Sequence, residues 1–222
     1  MTPRNKNTIS LLLTDDDPII RAGIRAVLSK TKDIKVVGEA ENGIEAQKMV
    51  GKLRPKILLL DLKMPGKLSA AQLENWVREN YPDTITLVLT AHDRDAYLAK
   101  MMDAGAAGYM SKGESAERLI GAIRRAAEGE VLFDVEQFIR ARRWRETVGK
   151  KLNNMTEREL QVLRLMAEGL DNRAIAKSLN IATKTVEFHL AHILEKLGLD
   201  SRQKAAAWVH AHLIDDLGKL LG

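Results

Sequence analysis

Residues 57–66 read ILLLDLKMPG, and the fold of the first half of the chain turns on them. Ile57, Leu58, Leu59 and Leu60 follow one another without alternation, as in a central strand whose two faces are both covered by helices. Met64, Pro65 and Gly66 stop the strand and leave Asp61 at its carboxyl end. In open α/β sheets that end faces the ligand crevice, so an acid there is placed for chemistry more than for packing.

Working outward, the same strand-then-helix unit recurs on both sides. Ile9 to Leu13 is an apolar strand running into Asp15, Asp16 and Asp17, and Pro18 opens a helix carrying Ile20, Ile24, Val27 and Leu28 at helical spacing. A strand over Ile34 to Ala40 and a helix over Ile44 to Leu53 precede the Asp61 strand. After it come a helix over Ala70 to Asn80 and a strand over Ile85 to Leu89 that ends on Thr90. A helix near Ala96 to Asp103 follows, then a short strand in GAAGYMSK that ends near Lys112. Glu114 to Glu128 closes the set, with Ala116, Leu119, Ile120, Ile123 and Ala127 expected on its buried face. Five such repeats predict a doubly wound, five-stranded parallel sheet.

From residue 130 the pattern changes. RARRWRE and GKKLNN suit a short helix and a linker, and beyond Met155 only helical spacing remains. Thr156 and Glu159 form a capping box, with Met155 and Leu160 at the positions of a hydrophobic staple, so a helix starts there and ends at Gly169. A short helix with Ala174, Ile175 and Leu179 follows. A turn at Asn180 to Ala182 leads to a longer helix whose core face is Val186, Leu190, Ile193, Leu194 and Leu197. A last helix, Arg202 to Leu213, presents Ala206, Val209 and Leu213. Two helices joined by so short a turn inside a small all-α, four-helix unit predict a helix-turn-helix. The expected domains are 1–129, a linker with a short helix at 130–150, and 151–216.

Composition narrows the classes. The 222 residues suffice for two small cores, and 4% aromatic against 29% charged residues suits a helix-rich soluble chain. Zero cysteines exclude disulfides, thiol catalysis and cysteine-ligated zinc. Apolar runs are strand-sized and the first residues lack the pattern of a secretory signal, so no membrane role and a cytoplasmic location are expected. A net charge of +5 permits a nucleic-acid partner without demanding one.

With one switch point in the strand order, Asp15, Asp16, Asp61, Thr90 and Lys112 converge. Three carboxylates in one crevice repel, and a hard divalent cation bound through oxygen, Mg²⁺, relieves that repulsion. A carboxylate can also act as a nucleophile toward phosphorus. Lys112 and Mg²⁺ would then offset the charge of the transferred phosphoryl group, and Thr90 could donate a hydrogen bond to it. Asp17 reads as a helix-start acid, the arginines of RARRWRE as a solvated face, and His189 and His192 as core or surface residues.

At this point the residues resemble a known family. TDDDP, LLLDLKMPG, LTAHD and GAAGYMSK are similar to the signature segments of a response-regulator receiver domain, which has the flavodoxin-like fold. The stretch from MTERELQVLRLMAEGL to LEKLGLDSR resembles a LuxR-type DNA-binding domain, and together they resemble the NarL/LuxR class of two-component response regulators. The resemblance implies a transcriptional regulator, not an enzyme, whose own chemistry is confined to gaining and losing a phosphoryl group. A histidine kinase would phosphorylate Asp61. Asp15, Asp16, Asp61 and the main-chain carbonyl of Lys63 would hold Mg²⁺, and Tyr109 would reorient as the switch aromatic. Double-stranded DNA is the implied partner, bound by a homodimer once phosphorylated, and RNA polymerase is a candidate partner.

This chain departs from the family in two places. Lys67, Leu68, Ser69 and Ala70 replace the usual Asp-Gly or Ser-Gly after the Met-Pro-Gly turn, with one residue extra. In the helix-turn-helix, Lys184, Thr185, Glu187, Phe188 and Ala191 lie off the core face and can approach a major groove, with Arg173 and Lys196 completing the candidate contacts. Family members often carry lysines where Glu187 and Ala191 stand. Glu187 repels phosphates but can accept from a cytosine amino group. Ala182 replaces a frequent N-capping serine. Residues 150–222 carry 11 Lys and Arg against 9 Asp and Glu, a weak electrostatic footprint that dimeric binding would reinforce. Two other classes stay open: a helical domain that binds protein, and a Mg²⁺-dependent phosphohydrolase, against which Lys63 stands where a second acid would be needed.

Overall fold

The computed structural model describes residues 8–213. The chain divides into two compact units, Met1–Phe138 and Ile139–Gly222.

In the first unit five strands, β1 (Ile9–Thr14), β2 (Ile34–Ala40), β3 (Ile57–Leu60), β4 (Ile85–Thr90) and β5 (Gly108–Ser111), form one parallel sheet in the order β2-β1-β3-β4-β5. Helices α1 (Pro18–Leu28), α2 (Gly43–Leu53), α3 (Ala70–Asn80), α4 (Asp95–Ala104) and α5 (Ala116–Ala127) alternate with them. This is the doubly wound, flavodoxin-like arrangement. Every residue of β3 is buried, which is why its sequence shows no alternation. On one face Leu11, Leu13, Ile57, Leu59 and Leu87 pack with Ile24 and Leu28 of α1 and Leu119 and Ile123 of α5. Leu12, Leu58, Leu60 and Val88 alternate to the other face, which α2, α3 and α4 cover with Val50, Leu73, Val77 and Leu98. The buried stripe of α5 is Leu119, Ala122, Ile123 and Ala126, whereas Ala116, Ile120 and Ala127 lie at its margins. Leu119 and Ile123 are buried as expected, Ile120 and Ala127 pack against the same core from its margin, and Ala122 and Ala126 join the buried stripe.

Local signals set the helix ends. Asp17 caps α1, accepting from the backbone of Ile19 and Ile20, with Pro18 at the first position. Ser69 and Gln72 close a capping box on α3, and the loop before it folds back so that Leu68 packs on Gly43. A Cβ on Gly43 would lie 2.8 Å from the Leu68 carbonyl oxygen, so this loop requires glycine there.

The expected linker helix is α6 (Val135–Trp144), and helical conformation continues through a π-turn at Arg145–Gly149 into α7 (Lys150–Asn153). Four helices follow in the second unit, α8 (Glu157–Ala167), α9 (Asn172–Leu179), α10 (Thr183–Leu197) and α11 (Arg202–His212). Thr156 and Glu159 form the capping box of α8. Asn180 (φ 53°) turns the chain between α9 and α10, and Gly198 (φ 70°) ends α10. Ala182 caps α10 with no side-chain bond. Val186, Leu190, Ile193 and Leu197 are buried as expected, with Leu194 partly so. In α11 the fully buried alanine is Ala205 rather than Ala206, because Ala205 shares a helix face with Val209.

One buried acid stands apart. Glu74 of α3 is 2% exposed beside Thr86 of β4, with its Oε2 unpartnered among the described residues. Burial raises its carboxyl to about 7, against smaller opposing effects of the Thr86 hydroxyl and the Arg78 charge. A carboxyl held above its ordinary value makes the fold bind more protons than the unfolded chain does, so stability falls as pH rises from about 4.5 to 7. Glu74→Gln is therefore expected to be more stable than the wild type by roughly 2 kcal/mol at about pH 8, with the gain fading toward about pH 4. Urea unfolding at both pH values checks this, and a pH-independent difference would contradict it.

Candidate functional site

The strand order brings four strand ends together. Asp61 follows β3 directly, and its backbone N–H donates to the Thr14 carbonyl at 2.9 Å, which fixes it beside the end of β1. Lys112 follows β5, and its N–H donates to the Thr90 carbonyl at 2.8 Å. Asp15 and Asp61 are 2% and 4% exposed, while Asp16 is exposed. The Lys112 ammonium reaches Asp15 Oδ2 at 2.7 Å and Asp61 Oδ2 at 3.2 Å. Asp15, Asp16 and Asp61 each offer an oxygen within 4.8 Å of the others. Asp61 Oδ1 is buried and has no hydrogen-bond partner among the described residues.

Thr90 is buried at the end of β4, and its hydroxyl oxygen accepts from His92 N–H at 3.1 Å, leaving its proton able to donate elsewhere. Tyr109 is 4% exposed, and its hydroxyl donates to the His92 carbonyl at 2.6 Å. The sheet thus gathers Asp15, Asp16, Asp61, Thr90 and Lys112, with Tyr109 joined to Thr90 through His92. Lys63 lies in the loop beyond Asp61 with an exposed side chain.

Burial raises the Asp61 carboxyl above its ordinary value; Lys112 pulls it down, and the Asp15 charge pushes it up again. Burial alone would lower the Lys112 ammonium, but bonds and charge from Asp15 and Asp61 hold it above its ordinary value. The pocket is acidic and arranged around the Lys112 ammonium.

Two residues escaped the sequence reading. Arg21 is 7% exposed on the core side of α1, where its Nη1 donates to the Asp15 carbonyl at 2.6 Å, its Nη2 meets Glu41 at 2.6 Å and its Nε faces Glu39 at 3.3 Å. It pins the acidic loop. An arginine three residues before Ile24 on an otherwise apolar stripe was the available signal. His92 contributes only backbone atoms, so its residue type gave none.

In the second unit Lys184, Glu187, Phe188 and Ala191 are exposed along α10, Thr185 is half-buried, and Arg173 is exposed on α9. Phe188 is 58% exposed, its ring 4.1 Å from that of His192. Lys196 gives its ammonium to Glu159 at 2.7 and 2.9 Å, so its charge is already offset. Glu159 also lies 3.8 Å from His192 Nδ1. His189 and His192 contact Phe188 and belong to no metal-ligand group among the described residues.

An acidic pocket of this kind on a doubly wound sheet, followed by a helix-turn-helix, defines a DNA-binding response regulator. Residues 11–124 match the response regulator receiver domain and residues 153–209 the luxR family of bacterial regulatory proteins. The nitrate/nitrite response regulator protein NarL of Escherichia coli (strain K12) is 35% identical over 95% of this chain and 99% of its own length. The oxygen regulatory protein NreC of Staphylococcus epidermidis is 34% identical over 87% of this chain and 93% of its own. The structure of RcsB from Salmonella enterica serovar Typhimurium, bound to promoter rprA with phosphomimetic BeF3⁻, has a TM-score of 0.58 at 27% identity, covering 92% of this chain and 99% of that one. The chain belongs to the NarL/LuxR class of two-component response regulators. Its receiver domain implies a histidine kinase and its luxR-type domain implies DNA binding. No helix among the described residues is long and apolar enough to cross a membrane.

Replacing Lys112 by methionine removes the cation between Asp15 and Asp61, so the Asp61 carboxyl is expected to titrate at higher pH than in the wild type. Carboxyl-carbon NMR over a pH series reads this directly, and an unchanged or lower value would contradict the pairing.

Proposed function

We propose that Asp61 accepts the phosphoryl group, and that its gain controls DNA binding by the second unit. The observation that carries this is Asp61 itself, with one buried carboxylate oxygen on Lys112 and the other unpartnered. Oδ1 attacks phosphorus, the bond to the donor's imidazole nitrogen breaks, and the imidazole leaves with the electron pair. Lys112 follows the transferred group as its counter-charge, and the Thr90 hydroxyl donates to one of its oxygens. Asp15, Asp16, Asp61 and the main-chain carbonyl of Lys63 would hold Mg²⁺, a choice supported by the three clustered carboxylates. Bound there, Mg²⁺ supplies the charge neutralisation that lets an anionic phosphodonor approach. Tyr109 acts as the switch through its bond to the loop after Thr90. Self-phosphorylation and self-dephosphorylation are the only chemistry in this reading, and the protein works in the cytoplasm.

At the DNA, Lys184, Thr185, Glu187, Phe188 and Ala191 of α10 face the major groove, and Arg173 approaches the backbone. Phe188 and Ala191 suit thymine methyl groups and Glu187 a cytosine amino group, so sequence is read with little help from charge. Lys196 contributes through Glu159 and His192 behind the helix more than through free charge. The working domains are 1–129 and 151–216, joined by 130–150. The phosphorylated form binds as a homodimer on repeated half-sites and meets RNA polymerase there.

Selection from a random duplex pool, with protein treated with Mg²⁺ and a small phosphodonor, should enrich a repeated half-site. Asp61→Asn, or wild type treated with EDTA, should enrich it much less. Equal enrichment by wild type and Asp61→Asn would remove phosphorylation from the account. Glu187→Lys should strengthen binding to arbitrary duplex and steepen the dependence of log K on log salt by about 1, while blurring the selected sequence. An unchanged salt slope would take Glu187 off the interface.

A further inference from the structure

β5 is an edge strand, and the chain leaving α5 closes its outer side. Leu132 N–H donates to the Ala107 carbonyl at 2.6 Å. Two residues along, the Gln137 side-chain Nε2 donates to the Tyr109 carbonyl at 2.9 Å. Carbonyls two apart on a strand point the same way, so a backbone amide and a side-chain amide continue one ladder. Gly108 between them leaves room for this approach, since a Cβ there would lie 3.0 Å from Leu132 Cβ.

Gln137 also holds the start of α6. Its Oε1 accepts from Asp134 N–H at 3.2 Å and its backbone N–H donates to Asp134 Oδ1 at 2.7 Å, a capping box closed by an amide in place of a carboxylate. The two ends of one amide group therefore do different jobs: the oxygen caps the helix and the nitrogen ties it to Tyr109. The hydroxyl of the same tyrosine donates to the His92 carbonyl, and the His92 N–H donates to Thr90 Oγ1. A continuous hydrogen-bonded path runs from Thr90 through His92 and Tyr109 to Gln137 and the first turn of α6.

We propose that Gln137 is a positioning residue that latches the linker helix to the switch tyrosine, engaged without a phosphoryl group on Asp61 and released when one is present. This rests on reading Asp61 as the phosphoacceptor. When the Thr90 hydroxyl turns to the phosphoryl group it stops accepting from His92, and the loop that anchors the Tyr109 hydroxyl shifts. The side-chain bond from Gln137 to the Tyr109 carbonyl has the modest net strength of an ordinary hydrogen bond and is readily tipped by that shift. Release unties the first turn of α6 from the sheet edge.

The test is hydrogen exchange of the full chain over peptides spanning residues 132–139, with and without Mg²⁺ and beryllofluoride, and with ¹⁹F NMR reporting occupancy at Asp61. In the wild type, beryllofluoride should speed exchange there about five-fold, the equivalent of one hydrogen bond of ordinary net strength. Gln137→Glu keeps an oxygen for Asp134 N–H but has no donor for the Tyr109 carbonyl. It should exchange fast in both states and no longer respond. Asp134→Ala, which breaks the box and spares the latch, should speed exchange in both states yet keep the response. A wild type that binds beryllofluoride without change over 132–139 overturns the latch, as does a Gln137→Glu protein that responds like the wild type. Absence of the ¹⁹F signal would instead overturn the Asp61 reading, and the latch with it.

Discussion

Two carboxylates, Asp15 and Asp61, stay buried side by side because the Lys112 ammonium sits between them. Unpaired, either charge would be costly to bury, and each raises the cost of the other. The same ammonium ties the end of β5 to the ends of β1 and β3, so the electrostatics of the pocket and the geometry of the sheet are one constraint. In the proposed reaction the same ammonium would become the counter-charge of a phosphoryl group on Asp61. Arg21 holds the rest of the acidic loop through the Asp15 carbonyl, which lets Asp15 itself face the pocket.

Glu159 plays the corresponding part in the second unit. It closes the Thr156 box at the start of α8 and takes the Lys196 ammonium from α10, and these bonds hold its carboxyl below the ordinary value despite burial. Its place near His192, against which Phe188 packs, makes the exposed ring part of a supported surface rather than a lone side chain.

The two ends of the receiver carry different kinds of buried acid. At the carboxyl end of the sheet the carboxylates of Asp15 and Asp61 share the Lys112 ammonium. Glu74 lies on α3 against β4 with no ion pair among the described residues, and burial raises its carboxyl to about 7. Its burial has a cost in stability that shows as a pH dependence.

Most of the fold and the pocket could be read from the chain. The unbroken apolar run before Asp61 marked a central strand, and acids or cations placed at strand ends marked the crevice, because period and strand-end position are local properties of sequence. The capping box of Thr156 and Glu159 and the bare cap at Ala182 were equally legible, since each depends on residues within a turn of one another. What tertiary structure alone decided were the partners chosen across sequence distance. Arg21 finding the Asp15 carbonyl, Lys196 giving its charge to Glu159, and Gln137 reaching Tyr109 all depend on which surfaces the sheet and helices bring together. So does the stripe of α5, where Ala122 and Ala126 are buried and Ile120 packs against the core from its margin. Sequence determined which residues had chemistry to offer; packing determined which of those groups were already in use.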